Sequence, residues 1–102
     1  LAYAKGEIPV TVSQTARDYL NRGFALTNRG QHLDAALLYR QALKVDPNFA
    51  DAYNNLGWSL AKMGFYSEAF PAFEQAVRIQ PGYSRAINNL AWARTQLALV
   101  KE

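Results

Sequence analysis

Tyr53, Leu56, Gly57 and Leu60 stand at i, i+3, i+4 and i+7, which puts them on one face of a helix. Gly64 ends that helix, because a glycine takes the left-handed conformation a helix terminus needs. Ser67 is placed to cap a second helix, whose apolar stripe is Ala69, Phe73, Ala76 and Val77. Pro81 and Gly82 stop it. The same plan runs upstream: Gly30 closes one helix, Ala35, Tyr39, Ala42 and Leu43 stripe the next, and Asp46-Pro47-Asn48 forms the turn. Thr15 with Asp18 reads as the capping pair of the first helix. The pattern predicts five helices, near 16–29, 33–45, 50–63, 67–79 and 84–98, with no strand among them. Pro71 lies inside the fourth, where it should delete one helical hydrogen bond and bend the helix slightly.

The likeness of the two halves is a true repeat. Residues 16–49 laid over 50–83 give ten identities in 34 positions: Ala16, Tyr19, Asn21, Gly23, Leu26, Gly30, Ala35, Gln41, Ala42 and Pro47 with their counterparts. Residues 84–97 begin a third copy, repeating Ala86, Asn88, Asn89, Leu90 and Trp92. A period of this length marks a solenoid, whose units stack to bury a shared core. The small residues Gly23, Gly57, Ala35, Ala69, Ala42 and Ala76 would let antiparallel helices approach closely, while their large neighbours fill the gaps.

The spacing is similar to that of the tetratricopeptide repeat family, whose unit carries an aromatic, then x2-Leu-Gly-x2-Tyr, then Ala-x3-Phe, then Pro. The second repeat supplies Tyr53, Leu56-Gly57, Leu60, Ala69, Phe73 and Pro81, and the first Tyr19, Gly23, Leu26, Ala35, Tyr39 and Pro47. Arg22 departs from the expected leucine, Ala91 from the glycine, and Arg94 from a large apolar residue. The resemblance implies an all-α superhelix of antiparallel pairs: one repeat over 16–49, another over 50–83, and a closing helix in 84–102. Arg94 is expected to be solvent-exposed at the end of that stack. Residues 1–15 read as an extended connector, with Pro9 beside the β-branched Val10, Thr11 and Val12. Leu1 in place of methionine suggests an excised or processed chain, and its start, "LAYA", has the small-x-small form of a signal-peptidase site.

At 100° per residue Asn55 lies about 200° from Tyr53, so Asn21, Asn55 and Asn89 form a column on the face opposite the paired helix. Arg17, Asp51 and Arg85 flank it on one side; Phe24, Trp58 and Trp92, then Lys62, flank it on the other. In the family that face lines the concave side of the superhelix. The resemblance therefore implies a peptide-binding groove that includes these residues with Asn54 and Asn88. A carboxamide both donates and accepts, so an asparagine column can grip an extended peptide by its main chain. Such asparagines are expected to contribute nothing to the core. The groove is similar to that of the O-linked N-acetylglucosamine transferase. It does not resemble members that clamp a C-terminal carboxylate: of that five-residue clamp Asn55 and Arg85 match, whereas Leu20, Phe24 and Asn89 do not. Trp58 and Trp92 either face the groove or pack between repeats.

Other features narrow the function. With no cysteine, there is no disulfide and no thiolate for catalysis or zinc. His32 stands alone in a turn, and no phosphate loop, nucleophile elbow or paired carboxylates appear, so no enzyme activity, metal or cofactor is expected. The net charge of +3 comes from scattered residues with no basic block, which argues against nucleic acid. No run is long enough to insert in a membrane. Cytoplasmic and periplasmic locations are both compatible. The expected function is a protein–protein interaction module for an extended partner segment. The alternatives are self-association or scaffolding through Leu97, Leu99 and Val100, or a regulatory adaptor tail of a larger enzyme.

Overall fold

The computed structural model describes residues 11–100, without the side chains of Val12 and Ser13. Five helices follow in order: α1 (Val12–Asn28), α2 (His32–Val45), α3 (Ala50–Lys62), α4 (Tyr66–Ile79) and α5 (Ser84–Val100). Each packs on its neighbours in sequence, and α3 also touches α1 on one side and α5 on the other. The described residues are an all-α superhelix, two antiparallel pairs closed by α5.

Termination is the same in both repeats. Gly30 and Gly64 take φ of +77° and +86°, and the residues after them, Gln31 and Phe65, donate 2.9 Å bonds back to the carbonyls of Leu26 and Leu60. These bonds satisfy carbonyls that a helix end would otherwise strand. Initiation differs from the expectation at two places. The first helix opens at Val12, not near 16: Gln14 N–H donates to Thr11 Oγ1 (3.0 Å) and Thr11 N–H to Gln14 Oε1 (2.9 Å), a reciprocal capping box. Thr15 instead sits inside the helix, its hydroxyl donating to the Thr11 carbonyl at 3.1 Å. The rest of the expected connector lies outside the described residues. The fourth helix opens at Tyr66 with Phe65 as an unassisted cap, leaving Ser67 within the first turn. Pro71 is therefore five residues past the start of α4 and exposed, and the Ser67 carbonyl loses its helical donor.

The core is set by two rings against two glycines. Tyr39 and Phe73 are fully buried, each between alanines that are also fully buried: Ala35 and Ala42, Ala69 and Ala76. A Cβ at Gly23 would lie 2.7 Å from the Tyr39 ring, and one at Gly57 2.6 Å from that of Phe73. Paired helices can close only because those positions carry no side chain. Truncating either ring to alanine would cost about 3–5 kcal/mol, most of the margin of a small domain. Tyr53, expected on the buried face, is only partly covered, whereas Leu56 and Leu60 beside it are buried. Arg94 is exposed, with its guanidinium 5.5 Å above the Phe70 ring.

Candidate binding groove

The shared face of α1, α3 and α5 carries two adjoining cavities. One, of about 290 Å³, is walled by Phe24, Thr27 and Asn28 from α1, Asn54, Asn55 and Trp58 from α3, and Arg85 and Asn89 from α5, with Tyr39 reaching in from α2. The other, of about 350 Å³, is walled by Leu20, Asn21, Phe24, Asp51, Asn55, Tyr83 and Arg85. Phe24, Asn55 and Arg85 belong to both, so the two form one groove with the Asn55 carboxamide at its middle.

The sequence-predicted residues separate into those at the cavities and those beside them. Asn21, Phe24, Asp51, Asn54, Asn55, Trp58, Arg85 and Asn89 line the groove. Arg17, Lys62, Asn88 and Trp92 do not. The Arg17 guanidinium sits 5.4 Å over the Phe49 ring and the Lys62 ammonium 5.5 Å over that of Trp58, so each cation covers an aromatic face. Asn88 is exposed beside the groove. Trp92 packs between repeats, its ring 5.9 Å from Trp58 and 5.8 Å edge-on from Tyr66.

The asparagine column is not uniform. Asn54 is buried, with 2% of its surface exposed, and the Asn89 Nδ2 donates to its Oδ1 at 3.0 Å. Asn89 is thus engaged in satisfying a buried carboxamide, which corrects the expectation that neither Asn55 nor Asn89 supports the core. Asn21 is exposed and Asn55 half-buried in the groove.

Sequence reasoning assigned Tyr39 to the core alone and passed over Thr27 and Tyr83. Tyr39 is core, yet its hydroxyl shares a 2.7 Å hydrogen bond with Thr27 Oγ1 at the base of the first cavity. Burial raises the Tyr39 pKa, and the Thr27 bond opposes that rise. Tyr83 precedes α5 and is pushed up to about 12, first by burial and then by the Asp51 carboxylate, against Arg85 and Asn54. The signal for it was available: Tyr83 is the repeat of Phe49, one period later. His32 is half-buried at the first position of α2, its Nδ1 without a partner, rather than solvated in a turn. Among the described residues no cluster of His, Cys, Asp or Glu is arranged to hold a metal ion, and no helix is long and apolar enough to cross a membrane.

Two family models match the chain, one described as TPR repeat over residues 23–64 and one as tetratricopeptide repeat over 50–83. Together they span more than half of it. The chain belongs to the tetratricopeptide repeat family. Among solved structures of tetratricopeptide domains, the second TPR of Spaghetti (RPAP3), bound to the HSP90 peptide SRMEEVD, is similar with 26% identity and a TM-score of 0.82, over 86% of this chain and 82% of that one. The first TPR of Spaghetti, bound to the same peptide, gives 20% identity and a TM-score of 0.81 over 87% and 72%. The second TPR domain of the human RPAP3 protein, in complex with the HSP70 peptide SGPTIEEVD, gives 24% and 0.83 over 89% and 76%. These last two speak to the fold alone. A search of curated protein sequences gives no match.

Proposed function

We propose that the chain is a protein–protein interaction module that holds an extended peptide in the groove of α1, α3 and α5, and that it is not an enzyme. The observation that carries this reading is the position of Asn55, common to both cavities with its carboxamide not drawn into the core. One carboxamide can accept from a peptide N–H and donate to the carbonyl of the same strand. The second TPR of Spaghetti, similar over most of this chain, holds a peptide, which supports the reading.

Asn55→Ala tests it. Two neutral hydrogen bonds at about 0.5–1.5 kcal/mol each correspond to a loss of about tenfold in affinity. The melting temperature should hold, since Asn55 is not part of the buried core. The measurement is a pair of titrations against a peptide selected from a display library. Unchanged affinity would remove Asn55 from the site. Self-association is a second reading, favoured by Leu99 and Val100, which are 62% and 60% exposed at the end of α5. Sedimentation at increasing concentration distinguishes the two.

A further inference from the structure

The first cavity has a composition that specifies what a bound segment must present. Phe24, 51% exposed, forms one wall and Trp58 another, above the buried ring of Tyr39. Its volume of about 290 Å³ exceeds the ~150 Å³ that holds a benzene ring, and lies at the lower limit of small-molecule pockets, ~300–1,000 Å³. It therefore suits a single large side chain. The Tyr39 hydroxyl keeps Thr27 as its hydrogen-bond partner when an apolar group enters, so the buried phenol is not left unpaired. One repeat further on, the equivalent space is filled, because Trp92 lies against Trp58 with ring centroids 5.9 Å apart. The groove thus has one anchor position, not a series.

Charge narrows the ligand further. Of the residues lining the two cavities, Arg85 is the one cation and Asp51 the one anion. A peptide terminus that carries its own carboxylate beside an acidic side chain would bring at least two negative charges to a single guanidinium. A charge taken from water without a partner opposes binding, because nothing replaces its hydration. A chain that runs through the groove brings only what its side chains carry.

We propose that the groove reads an internal, extended segment by one large apolar side chain seated between Phe24 and Trp58 and one acidic side chain at Arg85, with no need of a free C-terminus. This rests on the peptide-binding reading above. The anchor gives affinity, Arg85 fixes direction, and Asn55 holds the peptide unit between them.

Two libraries of random peptides displayed against the chain test the proposal, one fused at both ends and one with a free C-terminus. The doubly fused library is expected to yield binders that share a large apolar residue with an acid close by. In a synthetic copy of the best binder, replacing that apolar residue with alanine should weaken binding about ten- to hundredfold. Amidating its C-terminus should change affinity less than about twofold. Phe24→Ser should lose about tenfold and Phe24→Leu should restore most of it, with melting curves checking that both variants fold. Binders found only with a free C-terminus, or without an apolar residue, would overturn the anchor while leaving a peptide-binding module. Binders from neither library would overturn both readings.

Discussion

The two junctions of the stack, α1 with α3 and α3 with α5, use equivalent positions for different chemistry. At the second, Asn89 bonds to the buried Asn54. At the first, the counterpart of Asn54 is Leu20, which is buried and offers Asn55 no such bond. Trp92 meets Trp58 directly, whereas a cavity stands between Phe24 and Trp58. Arg17 lies over Phe49 at the first junction; at the second the same two places hold Asp51 and Tyr83, a carboxylate and a phenol. One junction has its polar and aromatic groups satisfied from within the chain. The other leaves the Asn55 carboxamide and an aromatic wall facing an open cavity. A repeated motif therefore reports a repeated position but not a repeated task.

The largest expected difference between the junctions is in their aromatic residues. Trp92 is 36% exposed and holds two ring contacts, so Trp92→Ala should destabilise by about 2–3 kcal/mol. Phe24→Ala, at a side chain half in solvent, should cost about 1 kcal/mol while weakening peptide binding more. In a domain of this size each kcal/mol moves the melting temperature by about 4–8 °C, so thermal melts separate the two variants. Equal shifts would mean that the first junction is as closed as the second.

The asparagines come next. Asn89→Ala would leave the Asn54 Oδ1 buried without a partner, at a cost of about 1–3 kcal/mol. Asn54→Leu copies the first junction into the second, and with it in place Asn89→Ala should cost much less. A chemical-denaturation cycle should find the two substitutions coupled by about 1 kcal/mol or more. Additive costs would show that the hydrogen bond contributes nothing to folding.

This pair also shows where the sequence runs out. Gly23 with Tyr39 and Gly57 with Phe73 were legible, because a small residue facing a large one at a fixed period has few other readings. The column of Asn21, Asn55 and Asn89 was legible as a helical face. The separate fates of Asn55 and Asn89 were not, because each depends on the residue a neighbouring repeat presents, leucine in one case and asparagine in the other. The start of α1 was missed for a different reason. Thr11-x-x-Gln14 is a capping signature, but it precedes the repeat, and the repeat set the expected boundary.

The smallest expected effect has the opposite sign. Ser59 and Ala93 occupy one position in successive repeats, and both are fully buried. The alanine suits such a place. The serine does not, because its Oγ has no hydrogen-bond partner. A buried hydroxyl that exchanged its bonds to water for none is a net cost, and serine is also a poorer helix former than alanine. Ser59→Ala should therefore stabilise the domain by about 1 kcal/mol, less whatever contact the lost oxygen made. The reverse change, Ala93→Ser, should destabilise by a similar amount. The two thermal shifts, measured side by side, should have opposite signs and leave peptide affinity untouched, since neither residue lines the groove. A loss of stability in Ser59→Ala would mean that the hydroxyl finds an acceptor in solution.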